Sequence, residues 1–318
     1  MIKKAQHTSA QFVYYFFLVI WLMSFSNSLN AQELEPRLLT NIPVKSNVIA
    51  AGYGYTAGNI LIDPSIPIEN FNAKLNSFIG AYARSINFFG MSGKVDVVVP
   101  YTSADWTGTY QGNYEESSQT GFGDVRIRLS FDFIGAPAVS LSEFNKYKPK
   151  TIMGFSTQII APTGKYDSEI LPNLGTNRWT LKTQLGLAQH FDKNWVMEFY
   201  LSGWFFSPNT NFLNGQVLTQ TPFVGIKAHV IKTFKKGIWI TAGTGYGYGA
   251  KPSVDDVKRD VTISSFIIGA SVSVPFADGH TLRLIGKSSF RILQGPDFNG
   301  VFLTYQYFWN RTNKKNKH

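Results

Sequence analysis

Hydrophobic and polar residues alternate strictly along residues 122–133, which read FGDVRIRLSFDF. A β-strand sends successive side chains to opposite faces, so one face of this segment is aliphatic and aromatic and the other is ionic. The same alternation recurs along the chain, and the pattern predicts about twelve strands of the length that a tilted strand needs to cross a bilayer. The other strong segments are 94–101, 177–191, 195–206, 223–231, 281–292 and 301–309, and the weaker ones are 47–57, 74–87, 151–161, 238–249 and 261–275.

The connections between these segments alternate between short and long. Short turns on one side and long loops on the other are typical of outer-membrane barrels, in which a closed sheet pairs every backbone group away from water. The sequence therefore predicts an all-β fold, a closed antiparallel transmembrane β-barrel of about 12 strands over residues 46–309, with short periplasmic turns and long extracellular loops. The short connections are 88–92, 192–194, 235–237 and 277–280, and the long ones are 58–72, 102–121, 163–176, 207–217, 250–259 and 293–299.

Two further features bear on this prediction. The connection 135–149 is long although it falls on the short side, and its Ser140 and Glu143 predict a capping box at the start of a short helix. A soluble β-sandwich would also alternate, but it does not account for the rhythm of the loops. Nor does it account for the tryptophans near the predicted strand ends, which suit membrane-interface girdles: Trp179, Trp195, Trp204 and Trp309.

The two ends of the chain differ from the strand region. Residues 1–31 have the features of a secretory signal peptide: Lys3 and Lys4, an apolar run at 12–25 and a small polar tail, with cleavage after Ala31. The alternative, an uncleaved anchor helix, requires a longer apolar run. Residues 32–45 contain prolines and do not alternate, so this segment either enters the lumen from the periplasmic side and gates it, or lies in the periplasm. Residues 310–318 form a basic tail.

Composition narrows the function classes. The chain has no cysteine, which excludes a disulfide scaffold and a thiol enzyme. Its formal net charge is +10, but the predicted signal peptide and the last eight residues carry six of these charges. The remainder is small, and an exported chain rarely meets nucleic acid, so we expect no nucleic-acid partner. The expected partners are outer-membrane lipids, a small-molecule solute and the barrel-assembly machinery, which would read the aromatic last strand.

The ionic faces of the predicted strands point into the lumen. Their cationic surplus predicts a polar pore that favours anionic or polarisable solutes, with a constriction near Arg126 and Arg128. The alternative is that the charges pair across strands, as Lys94 with Asp132, and partly plug a narrow barrel. The predicted lumen residues are Lys94, Asp96, Asp124, Arg126, Arg128, Asp132, Lys182, Glu198, Lys227, Arg283, Lys287 and Arg291.

The chain offers little for catalysis. Only His190 and His229 lie on predicted strands, with Glu198 as a candidate orienting group for His190, and no G-x-S-x-G motif is present. There is no paired-histidine spacing for a metal. The glycines of GTGYGYG at 243–249 recur every second residue along a strand, which favours packing over a nucleotide loop. We expect no enzyme, no cofactor and no metal site.

Several stretches resemble a known family. GYGYTAGNILIDPSIPIEN at 52–70, GFGDVRIRLSFDFIGAPA at 121–138, APTGKYD with NLGTNRW within 161–179, and WFF at 204–206 are similar to the MetA-pathway of phenol degradation family of outer-membrane proteins. The resemblance implies an outer-membrane β-barrel involved in the uptake of hydrophobic or aromatic compounds. The chain departs from the family pattern at 249–259, GAKPSVDDVKR, where a Gly-Gly-x-Thr loop is expected.

The first long loop agrees with such a cargo because it is unusually apolar. It either packs at the barrel mouth or forms an entry site; its candidate residues are Ile60, Leu61, Ile62, Asp63, Pro64, Ile66 and Ile68. The sequence therefore predicts a channel or transporter in the bacterial cell outer membrane for the passive uptake of small, hydrophobic or aromatic compounds. The alternatives are a non-transporting structural or adhesion barrel with a plugged lumen and an outer-membrane hydrolase.

Overall fold

The computed structural model describes residues 34–60, 68–191 and 194–310. The predicted signal peptide and residues 311–318 of the basic tail lie outside this range. Twelve strands form the barrel: β1 (Ser46–Asn59), β2 (Ile68–Phe88), β3 (Met91–Tyr110), β5 (Val125–Pro137), β6 (Thr151–Ala161), β7 (Thr180–His190), β8 (Trp195–Phe206), β11 (Phe223–Thr233), β12 (Trp239–Gly249), β15 (Ile263–Ala277), β16 (His280–Arg291) and β17 (Asp297–Asn310). The other elements are β4 (Asn113–Phe122), β9 (Asn209–Phe212), β10 (Gln216–Gln220), β13 (Pro252–Val254), β14 (Val257–Lys258), the helix α1 (Leu141–Phe144) and a 3₁₀ turn (Lys235–Gly237).

The barrel closes between its first and last strands. Each barrel strand pairs antiparallel with its neighbours, and β1 pairs with both β2 and β17. The β1–β17 ladder runs without interruption from Ser46 opposite Asn310 to Asn59 opposite Asp297. The prediction of a closed antiparallel barrel of about twelve strands is confirmed, and each predicted segment corresponds to one barrel strand. Among the described residues, no helix is long and apolar enough to span a bilayer.

The two faces of the barrel wall have opposite character. Outward side chains are apolar and exposed, as Ile127 is at 50% and Leu201 at 56%. Inward side chains are polar and buried, as Glu198 is at 2% and Ser202 at 3%. A soluble sheet places these classes the other way round, whereas a hydrocarbon environment favours this arrangement.

The prediction of a loop at 102–121 is wrong. Residues 101–110 of β3 pair with β4 and extend the wall as a hairpin, which turns at Gln111 and Gly112 with φ of 49° and 83°. Two positive φ values are the geometry of a type I′ turn, the tight turn that hairpins favour. The alternation is weak here because the ribbon carries polar residues on both faces. The strand predicted from residue 122 is also interrupted: β4 ends at Phe122, and β5 begins at Val125.

Two other predicted loops contain strands. The connections after β8 and β12 contribute β9, β10, β13 and β14, which form a separate four-stranded sheet at the long-loop end of the barrel. Phe212, Leu218 and Val254 form its buried apolar cluster, against which Leu171 of the β6–β7 connection packs. At the opposite, short-turn end, α1 begins with the expected capping box, because Glu143 accepts from the Ser140 backbone N–H at 2.8 Å.

The predicted tryptophan girdle holds in part. Trp179 and Trp195 are exposed, and Trp309 stacks on the exposed Tyr307 with ring centroids 5.5 Å apart. Trp204 contradicts the prediction, since it points inward and contacts Phe223 at 5.2 Å between centroids. Its parity on β8 is that of Glu198 and Ser202, so position along the strand decides its direction more than residue type does.

Candidate functional site

Residues 34–45, here called the plug segment, lie inside the lower part of the barrel, near the short-turn end. Leu39 is 3% exposed and packs against Ala136, Ile152, Ala188 and Tyr200, side chains of four consecutive wall strands. The segment contains prolines and does not alternate, and in the structure it forms no strand pairing with the wall. It is therefore an insertion into the lumen and not an additional strand.

Glycines of the wall form notches for the leucines of the plug segment. A Cβ atom at Gly154 would lie 2.5 Å from Leu39 Cδ2, and one at Gly186 would lie 2.9 Å from Leu39 Cδ1. A Cβ atom at Gly269 would similarly lie 2.8 Å from Leu34 Cδ1. A larger residue at these positions would force the leucines to shift, together with Asp132 Oδ1 at Gly154 and the Tyr200 ring at Gly186, so glycine lets the plug segment approach the wall closely. One gap beside the segment, between Leu34, Pro36 and the wall at His229 and Gly269, holds about 10 Å³, close to the minimum for one water molecule.

Polar groups of the wall hold the backbone of the plug segment. Lys94 Nζ donates to the carbonyl oxygens of Leu38 at 2.6 Å and Thr40 at 2.8 Å. Glu198 Oε2 accepts from the Arg37 backbone N–H at 2.8 Å. These are charge-assisted hydrogen bonds, which are stronger than neutral ones. Two of the predicted lumen charges therefore bind the protein's own N-terminal segment.

A third anchor involves the predicted constriction. Arg128 Nε donates to Asp96 Oδ2 at 2.8 Å, and Arg128 Nη1 pairs with Glu35 of the plug segment at 2.5 Å. Asp96 faces Arg128 directly across the β3–β5 ladder, so the register positions this pair. Arg128 joins the wall to the plug segment and is neutralised by two carboxylates.

Lys94 and Asp132, which could form a cross-strand pair, lie diagonally across the β3–β5 ladder but form no hydrogen bond. The register places Lys94 opposite Ser130 and Asp132 opposite Ser92, and the Lys94 ammonium group points to the plug segment instead. The bulge between Met91 and Ser92 shifts the ladder near its end. Sequence position gave a similar depth for the two residues, but it could not give the register.

Several lumen cations lie over aromatic rings. Lys182 Nζ lies 5.1 Å from the Trp204 centroid, Lys227 Nζ lies 5.5 Å from that of Tyr200, and Arg178 Cζ lies 4.6 Å from that of Phe206. Lys287 contacts Phe302 at 4.5 Å, and Arg283 contacts Trp239 at 5.0 Å. These rings were missed at the sequence level, although Tyr200, Trp204 and Phe206 share the inward parity of Glu198.

Asp124 lies at the break between β4 and β5, at the long-loop end. It accepts from the backbone N–H groups of Gly164 and Thr176, both at 2.9 Å, and from Thr176 Oγ1 at 2.7 Å. It therefore anchors the β6–β7 loop over the barrel. Of the other predicted lumen residues at this end, Arg126 is half-buried and Arg291, the last residue of β16, is exposed.

The described part of the predicted entry loop packs at the barrel mouth. Ile60 and Ile68 contact a buried cluster that includes Phe71 and Trp106. Leu61, Ile62, Asp63, Pro64 and Ile66 lie outside the described residues.

The structure places Glu198 beside His229 and not beside His190. His229 is 2% exposed, and its Nδ1 lies 3.9 Å from Glu198 Oε2, beyond hydrogen-bonding distance. Glu198 faces Ala188 and His229 across its ladders, so the expected orientation of His190 by Glu198 is not observed. Within residues 34–60, 68–191 and 194–310, no three His, Cys, Asp or Glu side chains are grouped to hold a metal ion.

The closed sheet, the lipid-type outer face and the polar lumen define a class: this is a twelve-stranded β-barrel of the outer-membrane type. The family model described as "Putative MetA-pathway of phenol degradation" matches residues 61–291, and the chain belongs to this family.

Solved structures show the same fold. An outer membrane channel from Pseudomonas putida F1 is similar with a TM-score of 0.73 at 16% sequence identity, over 87% of this chain and 100% of that chain. The transport unit of an autotransporter from Escherichia coli is similar with a TM-score of 0.50 at 12% identity, over 90% of this chain and 95% of that chain. Among curated proteins, no sequence matches this chain.

Proposed function

We propose that this protein is a channel of the bacterial outer membrane for the passive uptake of small, hydrophobic or aromatic compounds, and that the plug segment is its gate. The observation that carries the proposal is the way the lumen is filled. The wall is a continuous hydrogen-bonded ladder, whereas residues 34–43 of the plug segment are held by side-chain hydrogen bonds, an ion pair and leucine packing, and backbone bonds fix only Val44 and Lys45 at its end. Such contacts can break and re-form without opening the barrel.

The size of the barrel supports a pore. Eight-stranded barrels are filled by their own side chains, and sixteen-stranded barrels leave an aqueous channel. Twelve strands lie between these cases, so a single short segment is enough to fill the lower lumen. When the plug segment leaves, it exposes a passage lined by polar side chains such as Ser130, Gln184 and Ser202.

Three observations favour an aromatic cargo. The lumen presents the rings of Trp204 and Phe206, the mouth carries the apolar cluster around Trp106, and the family description refers to phenol degradation. In this proposal the exposed apolar face contacts outer-membrane lipids. The chain is exported before it inserts, and the barrel-assembly machinery recognises β17. A solute docks at the mouth beside Ile60 and Ile68 and then moves along the lumen.

A reversible covalent lock tests the gate. The chain contains no cysteine, so the pair Leu39→Cys and Ala188→Cys, whose side chains share one buried cluster, introduces a single possible disulfide. We expect the oxidised pair to be silent in planar-bilayer conductance and discrete openings to appear after reduction. The single variant Ala188→Cys is the matched control, which should conduct like the parent under both conditions.

A non-transporting barrel is the second candidate, and the packing of Leu39 against four wall strands favours it. The same experiment separates the two. Conductance is measured for the parent, for the reduced pair and for a chain lacking residues 32–42, and circular dichroism confirms that each barrel is folded. If none of the three conducts, the channel is refuted and the structural barrel is supported. Equal conductance from the oxidised and reduced pair would leave a channel but refute the gate.

A further inference from the structure

A single lysine lies in the apolar outer face of one half of the barrel wall. The five consecutive barrel strands β6, β7, β8, β11 and β12, which the structure describes in full, contain four Lys, Arg, Asp or Glu residues, and three of these are buried in the lumen. The fourth, Lys232, lies directly opposite Trp195 in one ladder and Ile240 in the other. Both neighbours point outward and are exposed at 43% and 44%, so Lys232 shares their outward face.

Lys232 lies at the edge of the apolar band, at the short-turn end. It is the second-last residue of β11, and Trp195 is the first residue of β8. The Lys232 Nζ atom lies 4.6 Å from the centroid of the Trp195 ring. A charge in the middle of a bilayer is costly, whereas lysine and tryptophan are both favoured where the hydrocarbon meets the headgroups. This row of outward side chains therefore marks the headgroup level.

The turn that follows β11 adds two lysines at the same end. The backbone N–H of Phe234 donates across the β11–β12 hairpin at 2.7 Å and closes it around Lys235 and Lys236, which are both exposed. Residues 231–242, IKTFKKGIWITA, contain three lysines and no acidic residue. The hairpin end is therefore strongly basic and carries the exposed Phe234 ring beside its charges.

The acidic residues of the neighbouring strands and turns do not neutralise these lysines. Glu198 of β8 points into the lumen, on the other side of the wall. In the described part of the chain, neither the three lysines nor Asp278 of the β15–β16 turn forms an ion pair. Asp192 of the β7–β8 turn lies outside the described residues, and Lys193 next to it offsets its formal charge. The three lysines can therefore meet an external anion.

We propose that this surface binds the headgroup of an anionic phospholipid in the periplasmic leaflet of the outer membrane. The lysines contact the lipid phosphate and the anionic headgroup, and the exposed rings pack along the first part of the acyl chains. Each lysine near an anionic lipid surface contributes roughly fivefold in affinity, so three contribute about a hundredfold at low salt. We call the surface the basic rim patch; its members are Lys232, Lys235, Lys236, Trp195 and Phe234.

The inference rests on the orientation in the proposed function, with the short turns in the periplasm, and does not depend on conduction. The orientation has its own test because the chain contains no cysteine. In whole cells, the variant Lys236→Cys should react with a membrane-impermeant maleimide only after the outer membrane is permeabilised. Labelling in intact cells would overturn the assignment of the basic rim patch to the periplasmic leaflet.

Lipid titration followed by native mass spectrometry tests the site itself. The mature chain from Gln32, folded in detergent, is titrated with phosphatidylglycerol and separately with phosphatidylcholine of the same acyl chains. We expect phosphatidylglycerol to bind at least roughly tenfold more tightly, and we expect this advantage to shrink as salt is added, because exposed charges are screened. The double variant Lys232→Met and Lys236→Asn should lose the advantage, whereas Lys232→Arg, which keeps the charge, should retain it. Asparagine suits position 236 because the backbone there has φ of 60°.

The matched control removes two lysines from the opposite end of the barrel. Lys251 and Lys258 are exposed on the long-loop side, and the double variant Lys251→Met and Lys258→Met changes the net charge by the same amount. It should leave the ratio of the two lipid affinities unchanged. Glycerol 3-phosphate, which offers the phosphate without acyl chains, should not compete at concentrations at which phosphatidylglycerol saturates the site.

Each other result overturns a stated part of the inference. Equal binding of the two lipids shows that the headgroup charge is not recognised. An advantage that persists in the folded double variant, or that the long-loop control also loses, shows that the basic rim patch is not the site. Competition by glycerol 3-phosphate assigns the patch to free phosphate and not to a lipid. Folding of each variant is checked by the shift in gel mobility between unheated and heated samples.

Discussion

Replacement of Leu39 by alanine should open the channel without unfolding the barrel. Leu39 fills the notches at Gly154 and Gly186 and is 3% exposed. Loss of a buried leucine side chain costs about 2–5 kcal/mol in tightly packed sites. Here that cost falls on docking of the plug segment, because the wall ladders do not depend on Leu39. The ratio of docked to undocked segment should therefore fall by a factor of about 30 to several thousand.

The assay is single-channel recording with the open probability as its readout. The parent and the Leu39→Ala variant are compared at equal protein density, and the thermal midpoint of the barrel is followed by circular dichroism. We expect long openings in the variant and a barrel midpoint close to that of the parent. An unchanged open probability, together with an unchanged midpoint, would show that Leu39 does not hold the plug segment closed.

A second substitution makes the reasoning more specific. In the parent, a methyl group added by Gly154→Ala would lie 2.5 Å from Leu39 Cδ2 and should weaken docking. The same methyl group would also lie 2.5 Å from Asp132 Oδ1, and this contact remains in the Leu39→Ala background, whereas the contact with the leucine is removed. The double variant should therefore be closed more of the time than the sum of the two single effects implies, and strict additivity would contradict the notch model.

Two further sites give independent tests. Lys94→Met removes two charge-assisted hydrogen bonds to the plug segment, each worth about 1.5–3 kcal/mol. Asn41→Ala removes one neutral hydrogen bond, to Pro137 O, worth about 0.5–1.5 kcal/mol. The open probability should therefore rise more for the lysine variant, and the reverse order would refute the assignment of the anchors. Asp124→Ala leaves the donors of Gly164 and Thr176 without their acceptor. Limited proteolysis should therefore cut the β6–β7 loop faster while the barrel stays intact. An unchanged rate of cutting would show that this carboxylate does not hold the loop.

The sequence predicts the strands of the wall well because successive residues of each strand face different media, lipid on one side and the polar lumen on the other. Each barrel strand carries an apolar face for lipid and a polar face for the lumen, and this alternation marks both the strand and its direction. Where both faces meet the same medium the signal disappears, as in β4 and the small sheet of β9, β10, β13 and β14. These were read as loops for that reason.

The site was less predictable than the wall. Parity placed Lys94, Asp132, Arg128 and Glu198 on the inner face, but their partners depend on register and on the plug segment. The register of β3 and β5 places Asp96 opposite Arg128 and Lys94 opposite Ser130, and no local pattern in the sequence indicates it. The plug segment itself has no periodicity, since its conformation is set by contacts with distant strands.

The seam between β1 and β17 links closure of the lumen to biogenesis. Asn310 Nδ2, at the end of the last strand, donates to Val44 O at 3.0 Å and to Ser46 Oγ at 2.8 Å, where the plug segment joins the first strand. Asn310 thus ties the seam to the hinge from which residues 34–43 turn into the lumen, a hinge that Ser85 of β2 also holds through Pro43 O and the Ser46 backbone N–H. A nascent barrel that has not yet paired β1 with β17 lacks the two bonds that Asn310 supplies. In the proposed gate, the pairing that closes the sheet therefore also completes the attachment of the plug segment.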